Sequence, residues 1–164
     1  FKFLSKNFYI SFSIVALIYF LDRLTKIYVI QLDKNNLGSD IFNSAYLNIV
    51  LIWNKGIAFG LFSFDESHLY NILSLIISII VVILVIMSLK SHGFKRYSLL
   101  MIVGGALGNL HDRIFFNAVP DFIDFHIGNF HWFIFNVSDI FITLGVICMI
   151  TLELIVKNDK NINQ

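Results

Sequence analysis

The fold is decided by three polar blocks in one segment, GGALGNLHDR at residues 104–113, VPDF at residues 119–122 and FNVSD at residues 135–139. These blocks place aspartates, asparagines and an arginine in a chain that is otherwise strongly apolar. Ionisable groups in or against lipid are costly, so they indicate functional positions by default. The aspartates of the three blocks are therefore the first candidates for chemistry.

The composition is that of an integral membrane protein. The 164 residues are 57% hydrophobic and 14% charged, and their mean hydropathy is +0.78. About a quarter of the residues of a soluble domain are charged. One compact membrane domain over residues 1–164 is expected. The net charge of +1 gives no indication of nucleic-acid binding. Cys148 is the only cysteine, which excludes a disulfide framework.

Four apolar runs are long enough to cross a bilayer as helices. They predict a mainly α membrane protein with spans at about residues 8–30, 69–89, 97–116 and 133–156. The first run is too long for a cleavable signal peptide, and no Ala-x-Ala-like site follows it.

The segment between the first two spans, residues 31–68, predicts a small extracytoplasmic β-rich subdomain. Residues 46–53 are β-branched and aromatic, and the turn from Asn54 to Gly56 precedes a second apolar run at residues 57–64. This pattern is typical of a β-hairpin. Taken alone, Asn54 and Gly56 are better explained by that turn than by a binding role.

Basic residues indicate the orientation of the spans, because cytoplasmic loops carry the excess of lysine and arginine. Two lysines, Lys34 and Lys55, fall clear of the spans on one side. The predicted cytoplasmic side carries more, namely Lys2, Lys6, Lys90, Lys95, Arg96, Lys157 and Lys160. Both termini are therefore expected in the cytoplasm.

This topology brings the polar residues of separate spans to one depth, near the outer membrane surface. They lie late in outward-going helices, early in an inward-going helix, or in the outer loop just before it. The set is Asp22, Asn109, Asp112, Arg113, Asp121, Asn136 and Asp139. Scattered structural residues have no reason to coincide in this way, and we take the convergence as a sign of a site.

Two carboxyls held close together cannot both ionise easily, so one keeps a proton while the other acts as a base. Such a pair can activate water and protonate a leaving amide nitrogen, as aspartic proteases do. Asp121, in the loop, and Asp139, on the fourth helix, are expected to flank the mouth of the bundle and could form such a pair. Pro120 helps to set where Asp121 points, and Asn136 shares a helix face with Asp139.

Other charged residues near the site have simpler explanations beside functional ones. Asp22 and Lys26 are four residues apart and can form a pair on the first helix, or serve as an interfacial anchor. Asp112 and Arg113 are either an ion pair at a helix end or substrate contacts. Asp124 is expected to be a surface loop acid.

The histidines near this region do not predict a metal site. His111, His126 and His131 have no helical ligand spacing, and the chain contains no His-Glu-x-x-His motif.

The chain resembles the lipoprotein signal peptidases, or signal peptidase II family, bacterial four-helix membrane aspartic proteases. The resemblance covers almost the whole chain and rests on five blocks in the right order. These are Asp22 to Lys26, Asn54 to Phe59, Gly104 to Arg113, Val119 to Phe122, and Phe135 to Asp139.

The resemblance implies a substrate, a prolipoprotein whose cysteine already carries diacylglycerol, and cleavage just before that cysteine. It implies that Asp121 and Asp139 are the catalytic dyad, and that no cofactor or metal is needed. It further implies a monomer in the bacterial inner membrane that cyclic peptides such as globomycin inhibit. Supporting or substrate-binding positions would be Asn54, Gly56, Asn109, Asp112, Arg113, Asn136, Asp22 and Lys26.

Two residues depart from the family pattern. Ser138 stands where alanine is usual, and Pro120 where a small or β-branched residue is common. Neither change removes a reacting group. The Ser138 hydroxyl is expected to lie beside Asp139 and to shift the pKa of its carboxyl by hydrogen bonding.

Two other classes of protein remain possible from the residues alone. A small transporter or proton channel would use the buried Asp22, Asp112 and Asp139 as a relay. The second span and the inner half of the fourth are almost wholly apolar, which disfavours a continuous path. A non-catalytic assembly subunit would explain the glycines at 104, 105 and 108 but not the aspartates at one depth.

Overall fold

A computed structural model describes residues 6–35, 41–56 and 67–162 of the chain. In this part the chain forms four helices, each long and apolar enough to cross a membrane. They are α1 (Lys6–Asn35), α2 (Ser67–Lys90), α3 (Gly93–Phe116) and α4 (Val137–Ile162). The predicted class, a mainly helical membrane protein with a small β-rich part, is confirmed.

Helix α3 is the centre of the bundle and packs against α1, α2 and α4. Its glycines allow this close approach, because small residues let helix backbones come together in a membrane. A Cβ built on Gly104 would lie 2.9 Å from Cβ of Ile18 on α1. A Cβ on Gly105 would lie 2.5 Å from the carbonyl oxygen of Ser138 on α4. These glycines are therefore packing residues.

The strands form one antiparallel sheet in the described part of the chain, in the order β1-β2-β3-β4. Their bounds are β1 (Phe42–Asn43), β2 (Leu47–Asn54), β3 (Val119–Ile127) and β4 (Phe130–Phe135). Strands β1 and β2 come from between α1 and α2, whereas β3 and β4 come from between α3 and α4. The sequence placed the β structure in the first of these segments alone and treated the second as a loop.

Pairing of β2 with β3 joins the two halves of the chain. Ile52 lies opposite Asp121, and Asn54 lies opposite Val119. The predicted partner strand at residues 57–64 lies outside the described residues. The pairing places Asn54 and Asp121, which are far apart in the sequence, at the same end of the sheet.

Two predicted boundaries are wrong for physical reasons. Residues 31–35, expected to be a loop, continue α1 to Asn35. The fourth span was expected from residue 133, but Phe133 to Phe135 belong to β4 and α4 begins at Val137. An apolar aromatic run is equally compatible with a strand and with the start of a span, so hydropathy alone does not separate them.

Asp124 is not the surface loop acid that the sequence predicted. It lies in β3 with only 5% of its surface exposed. Its carboxylate accepts a hydrogen bond from Nδ2 of Asn48 at 3.2 Å and lies 2.9 Å from Nδ1 of His131. Burying a carboxylate is costly unless it is hydrogen-bonded or paired, and the sheet supplies both partners.

Candidate active site

The sheet lies at the end of the bundle where α1 and α3 end and α2 and α4 begin. A cavity of about 240 Å³ opens there between the sheet, α2, α3 and α4. Asp121 from β3 and Asp139 from the first turn of α4 both line it. The remaining lining residues are Asn54, Ile77, Ala106, Asn109, Arg113, Val119, Ile142 and Thr143.

Asp121 is buried and accepts two side-chain hydrogen bonds. Nδ2 of Asn54 donates to its Oδ2 at 2.8 Å, and Nδ2 of Asn136 donates to its Oδ1 at 2.6 Å. The Asn54 amide is itself oriented, because its Oδ1 accepts from the backbone N–H of Gly56 at 2.8 Å. The turn that the sequence predicted at residues 54–56 thus directs an amide donor toward Asp121.

Asp139 is held by the start of α4. The backbone N–H of Asn136 donates to its Oδ2, and the backbone N–H of Asp139 donates to Oδ1 of Asn136, each at 3.1 Å. This reciprocal pair has the form of a capping box, with asparagine and aspartate in place of the usual residues. Nδ2 of Asn109 donates to Oδ1 of Asp139 at 2.8 Å. Asn136 therefore binds both carboxyls, one through its side chain and one through its backbone.

Burial, and after it the nearby charge of Asp139, together raise the pKa of Asp121 from its usual value to about 6. The amide hydrogen bonds from Asn54 and Asn136 oppose this shift but do not cancel it. An aspartate with such a pKa holds its proton at mildly acidic pH. The two carboxyls are thus able to share one proton between them.

The raised pKa predicts how Asp121 links stability to pH. The folded protein keeps this proton up to about pH 6, whereas the usual value for an aspartate is 3.8. The resulting stabilisation is fully present below pH 3.8 and is lost as the pH rises through about 6. The change is about 3 kcal/mol, since one pKa unit corresponds to about 1.4 kcal/mol.

Asp121→Asn is therefore expected to flatten the dependence of stability on pH. Thermal unfolding in detergent at pH 4 and pH 7 would measure this, with the unmodified protein as the reference. Equal pH dependence in the two proteins would contradict the expectation.

Beside the cavity, four charged side chains form an ion cluster of Asp22, Arg23, Lys26 and Asp112. Nζ of Lys26 lies 2.9 Å from Asp22 and 2.7 Å from Asp112. Arg23 lies 3.0 Å from Asp22 and 2.6 Å from Asp112. The predicted Asp22–Lys26 pair is present, but it is half of a four-residue network that joins α1 to α3.

The sequence left open whether Asp112 and Arg113 form an ion pair or contact substrate. Arg113 does not form an ion pair with its neighbour Asp112. Adjacent residues of a helix point in different directions, and Asp112 faces α1 while Arg113 lines the cavity. Nη2 of Arg113 donates to the carbonyl oxygen of Gly56 at 2.8 Å. Arg113 thereby connects α3 to the turn that follows β2.

Ser138 is fully buried, and its backbone N–H donates to Oδ1 of Asp22 at 3.0 Å. Its hydroxyl has no hydrogen-bond partner in the described part of the chain, so the expected contact with Asp139 is not formed there. A Cβ on Gly108 would meet both this hydroxyl and the Asp22 carboxylate. Ser138 therefore faces the ion cluster.

Sequence reasoning missed Arg23 as a member of the cluster and Thr143 as a lining residue. Arg23 could have been found from the sequence, because a second cation next to Asp22 in an apolar span indicates a buried ion pair. Thr143 gave no signal, because a threonine in a span is usually a packing residue. Within the described residues, no group of three His, Cys, Asp or Glu side chains is placed to hold a metal ion.

Fold and site together define a multi-pass membrane protein with a paired-carboxyl site at one end of its bundle. A family profile described as Signal peptidase (SPase) II matches residues 14–155. The chain belongs to this signal peptidase II family, and it is therefore a peptidase.

Named relatives agree with this assignment. A lipoprotein signal peptidase of Pelagibacter ubique (strain HTCC1062) is 49% identical over 155 residues, covering 94% of this chain and 93% of the relative. A lipoprotein signal peptidase of Anaplasma phagocytophilum (strain HZ) is 43% identical over 143 residues, covering 86% and 89%.

Two solved structures, both described as bacterial membrane enzymes studied by the in meso method, share the fold. The first has a TM-score of 0.74 and 29% identity, and the comparison covers 92% of this chain and 90% of that one. The second has a TM-score of 0.72 and 31% identity, with 88% and 92% covered.

Proposed function

We propose that the protein is an aspartic endopeptidase that removes the signal peptide from diacylglyceryl-modified prolipoproteins, cutting just before the lipidated cysteine. The observation that carries the proposal is the position of Asn136, which hydrogen-bonds to both Asp121 and Asp139, two carboxyls that line one cavity. Membership of a signal peptidase family supports the substrate class.

In the proposed mechanism the two aspartates share one proton and hold a water between them. The ionised carboxylate takes a proton from the water, and the water oxygen attacks the scissile carbonyl carbon. The protonated carboxyl donates a hydrogen bond to the carbonyl oxygen as negative charge develops there. Transfer of a proton to the amide nitrogen then allows the C–N bond to break. Both acid and base are carboxyls, so this chemistry needs no cofactor.

The surroundings of Asp139 suit a substrate with hydrocarbon chains. A second cavity of about 240 Å³ adjoins the first and shares Asp139 and Thr143 with it. Its other lining residues are apolar, namely Trp132, Phe135, Ile140 and Leu144. A peptide bond near Asp139 would thus have the cavity that contains both carboxyls on one side and a second, apolar cavity on the other.

The charge distribution supports a location in the bacterial cytoplasmic membrane, with both termini in the cytoplasm and the site near the outer surface. Processing of exported lipoproteins requires the site on that side. We propose a monomer, which cyclic peptides of the globomycin type would inhibit by occupying the dyad. Asn54, Gly56 and Arg113 would contact the substrate backbone.

The test is cleavage by the purified protein in detergent of two forms of one prolipoprotein, with and without diacylglycerol on the cysteine. We expect the lipidated form alone to be cut, with the new N-terminus at the modified cysteine by mass spectrometry. Equal cleavage of both forms would contradict the proposed specificity. If the protein cut neither form, the peptidase proposal would fail for this substrate, and an ion-flux assay would test the transporter alternative.

A further inference from the structure

Lys26 is a fully buried cation whose three N–H groups are all engaged. Nζ contacts Oδ2 of Asp22 at 2.9 Å and Oδ2 of Asp112 at 2.7 Å. The third contact is to Oδ1 of Asn109, at 2.9 Å. An ammonium group offers three donors and no acceptor. The two aspartates therefore fix the ammonium group so that its remaining N–H points at Asn109.

This contact determines the orientation of the Asn109 amide. Since Lys26 can only donate, the Asn109 oxygen must face it, and the Asn109 NH₂ group must face the other way. That group donates to Oδ1 of Asp139 at 2.8 Å. A flipped amide would place NH₂ against the ammonium group and a carbonyl oxygen against the Asp139 carboxyl. The contact with the ammonium group would be repulsive whether or not Asp139 carries a proton, so the flip is suppressed.

We propose that Lys26 is a positioning residue for the reaction, acting on Asp139 through the amide of Asn109. The inference rests on the proposed role of Asp139. The other carboxyl oxygen of Asp139 is held by the backbone N–H of Asn136, so each oxygen has one fixed donor. Releasing the Asn109 donor leaves the carboxyl free to rotate about its remaining bond. A misplacement of about 1 Å can cost about a hundredfold in rate.

The proposal also gives a reason for the ion cluster. Replacing buried ion pairs by well-packed apolar residues is often neutral or stabilising, so stability alone is a weak reason to keep one. Asp22 and Asp112 take two N–H groups of Lys26 and leave the third for Asn109. The cluster thus joins two helices and also fixes the direction in which the third N–H of Lys26 points.

Arg23 provides a matched control, because it belongs to the same cluster and carries the same charge. Its ion pairs within the described residues go to Asp22 and Asp112. Arg23→Met and Lys26→Met therefore remove the same charge and the same two partners, whereas Lys26→Met alone also removes the donor to Asn109.

The first experiment is steady-state cleavage of the lipidated prolipoprotein by Lys26→Met, Arg23→Met, Asn109→Ala and the double variant Lys26→Met/Asn109→Ala. Lys26→Met is expected to lower kcat by about a hundredfold with little change in KM. Arg23→Met is expected to lower kcat by only about tenfold, because the donor to Asn109 remains in place. In the Asn109→Ala background, Lys26→Met is expected to add almost nothing, because residues that act through one another are non-additive.

A second measurement does not depend on cleavage. In protein labelled with ¹⁵N-asparagine, the side-chain NH₂ signals of Asn109 are assigned by their loss in Asn109→Ala. Lys26→Met is expected to shift or broaden these signals, and Arg23→Met to leave them in place. This result would stand even if the protein cut no prolipoprotein, so the failure of the proposed function is distinguishable from the failure of this inference.

If Lys26→Met does not fold, Lys26→Met/Asp112→Asn keeps the cluster electrically neutral and serves in its place. Thermal unfolding confirms that each variant is folded before it is assayed. Equal kcat losses in the Lys26 and Arg23 variants, additive effects with Asn109→Ala, or unchanged Asn109 signals would each overturn the proposal.

Discussion

Asp121→Asn and Asp139→Asn are each expected to lower kcat for prolipoprotein cleavage by about ten-thousandfold, the upper range for loss of an acid or base. Either change leaves one carboxyl, so water can no longer be deprotonated while a proton is donated to the substrate. The asparagine amide has nearly the same shape, but its single oxygen can accept only one of the two hydrogen bonds that each carboxyl accepts. Thermal unfolding is therefore measured first, to show that each variant is folded. The measurement is kcat and KM on purified, lipidated substrate.

Asp124→Asn is the matched control. Asp124 lies in the same strand as Asp121 and is also buried, but its hydrogen bonds go to Asn48 and His131. This variant is expected to keep most of the activity. Near-normal turnover by either dyad variant would refute the assignment, and Asp112 would become the next candidate.

Gly105→Val is expected to remove nearly all activity and to destabilise the fold by about 1–3 kcal/mol, as overpacking of a core does. A side chain at Gly105 meets the carbonyl oxygen of Ser138 at 2.5 Å and Cγ1 of Ile142 at 2.9 Å. A backbone atom cannot move aside as a flexible side chain can, so α3 and α4 must separate. Asn109 lies on α3 and Asp139 on α4, and their hydrogen bond would be broken.

Ile114→Phe adds volume to the same helix at an outward-facing side chain that is 60% exposed. It is expected to have little effect on activity or on thermal unfolding in detergent. If Gly105→Val behaved like this control, the close contact between α3 and α4 would not matter for the site.

The helices and the gathering of polar residues at one end could be predicted from the sequence. Four apolar runs define the spans, and consecutive spans must alternate in direction. Residues late in one helix and early in the next therefore share an end of the bundle. This reasoning correctly brought Asn109, Asp121 and Asp139 to one cavity. Asn136 lies next to them and hydrogen-bonds to both carboxyls.

The strand pairing could not be predicted in the same way. Asp121 pairs with Ile52 across two strands that are almost seventy residues apart in the sequence. Local periodicity gives no signal for such a long-range pairing. The partners of Asp112 were missed because sequence adjacency favoured Arg113, whereas helix geometry directs Asp112 to Arg23 and Lys26. The capping role of Asn136 could be predicted only in part. Its spacing from Asp139 indicated a shared helix face, but not that the two residues exchange hydrogen bonds.

The division of the sheet between two segments has a consequence for biosynthesis. Asn54 leaves the ribosome first, Asp121 follows, and Asp139 comes last, so the dyad is completed only when the fourth helix is in place. A nascent chain that has inserted three helices holds one carboxyl and lacks the cap that Asn136 and Asp139 form together. If the two aspartates catalyse the reaction as proposed, proteolytic competence arrives at the end of synthesis, and partly made copies of the protein are inert in the membrane.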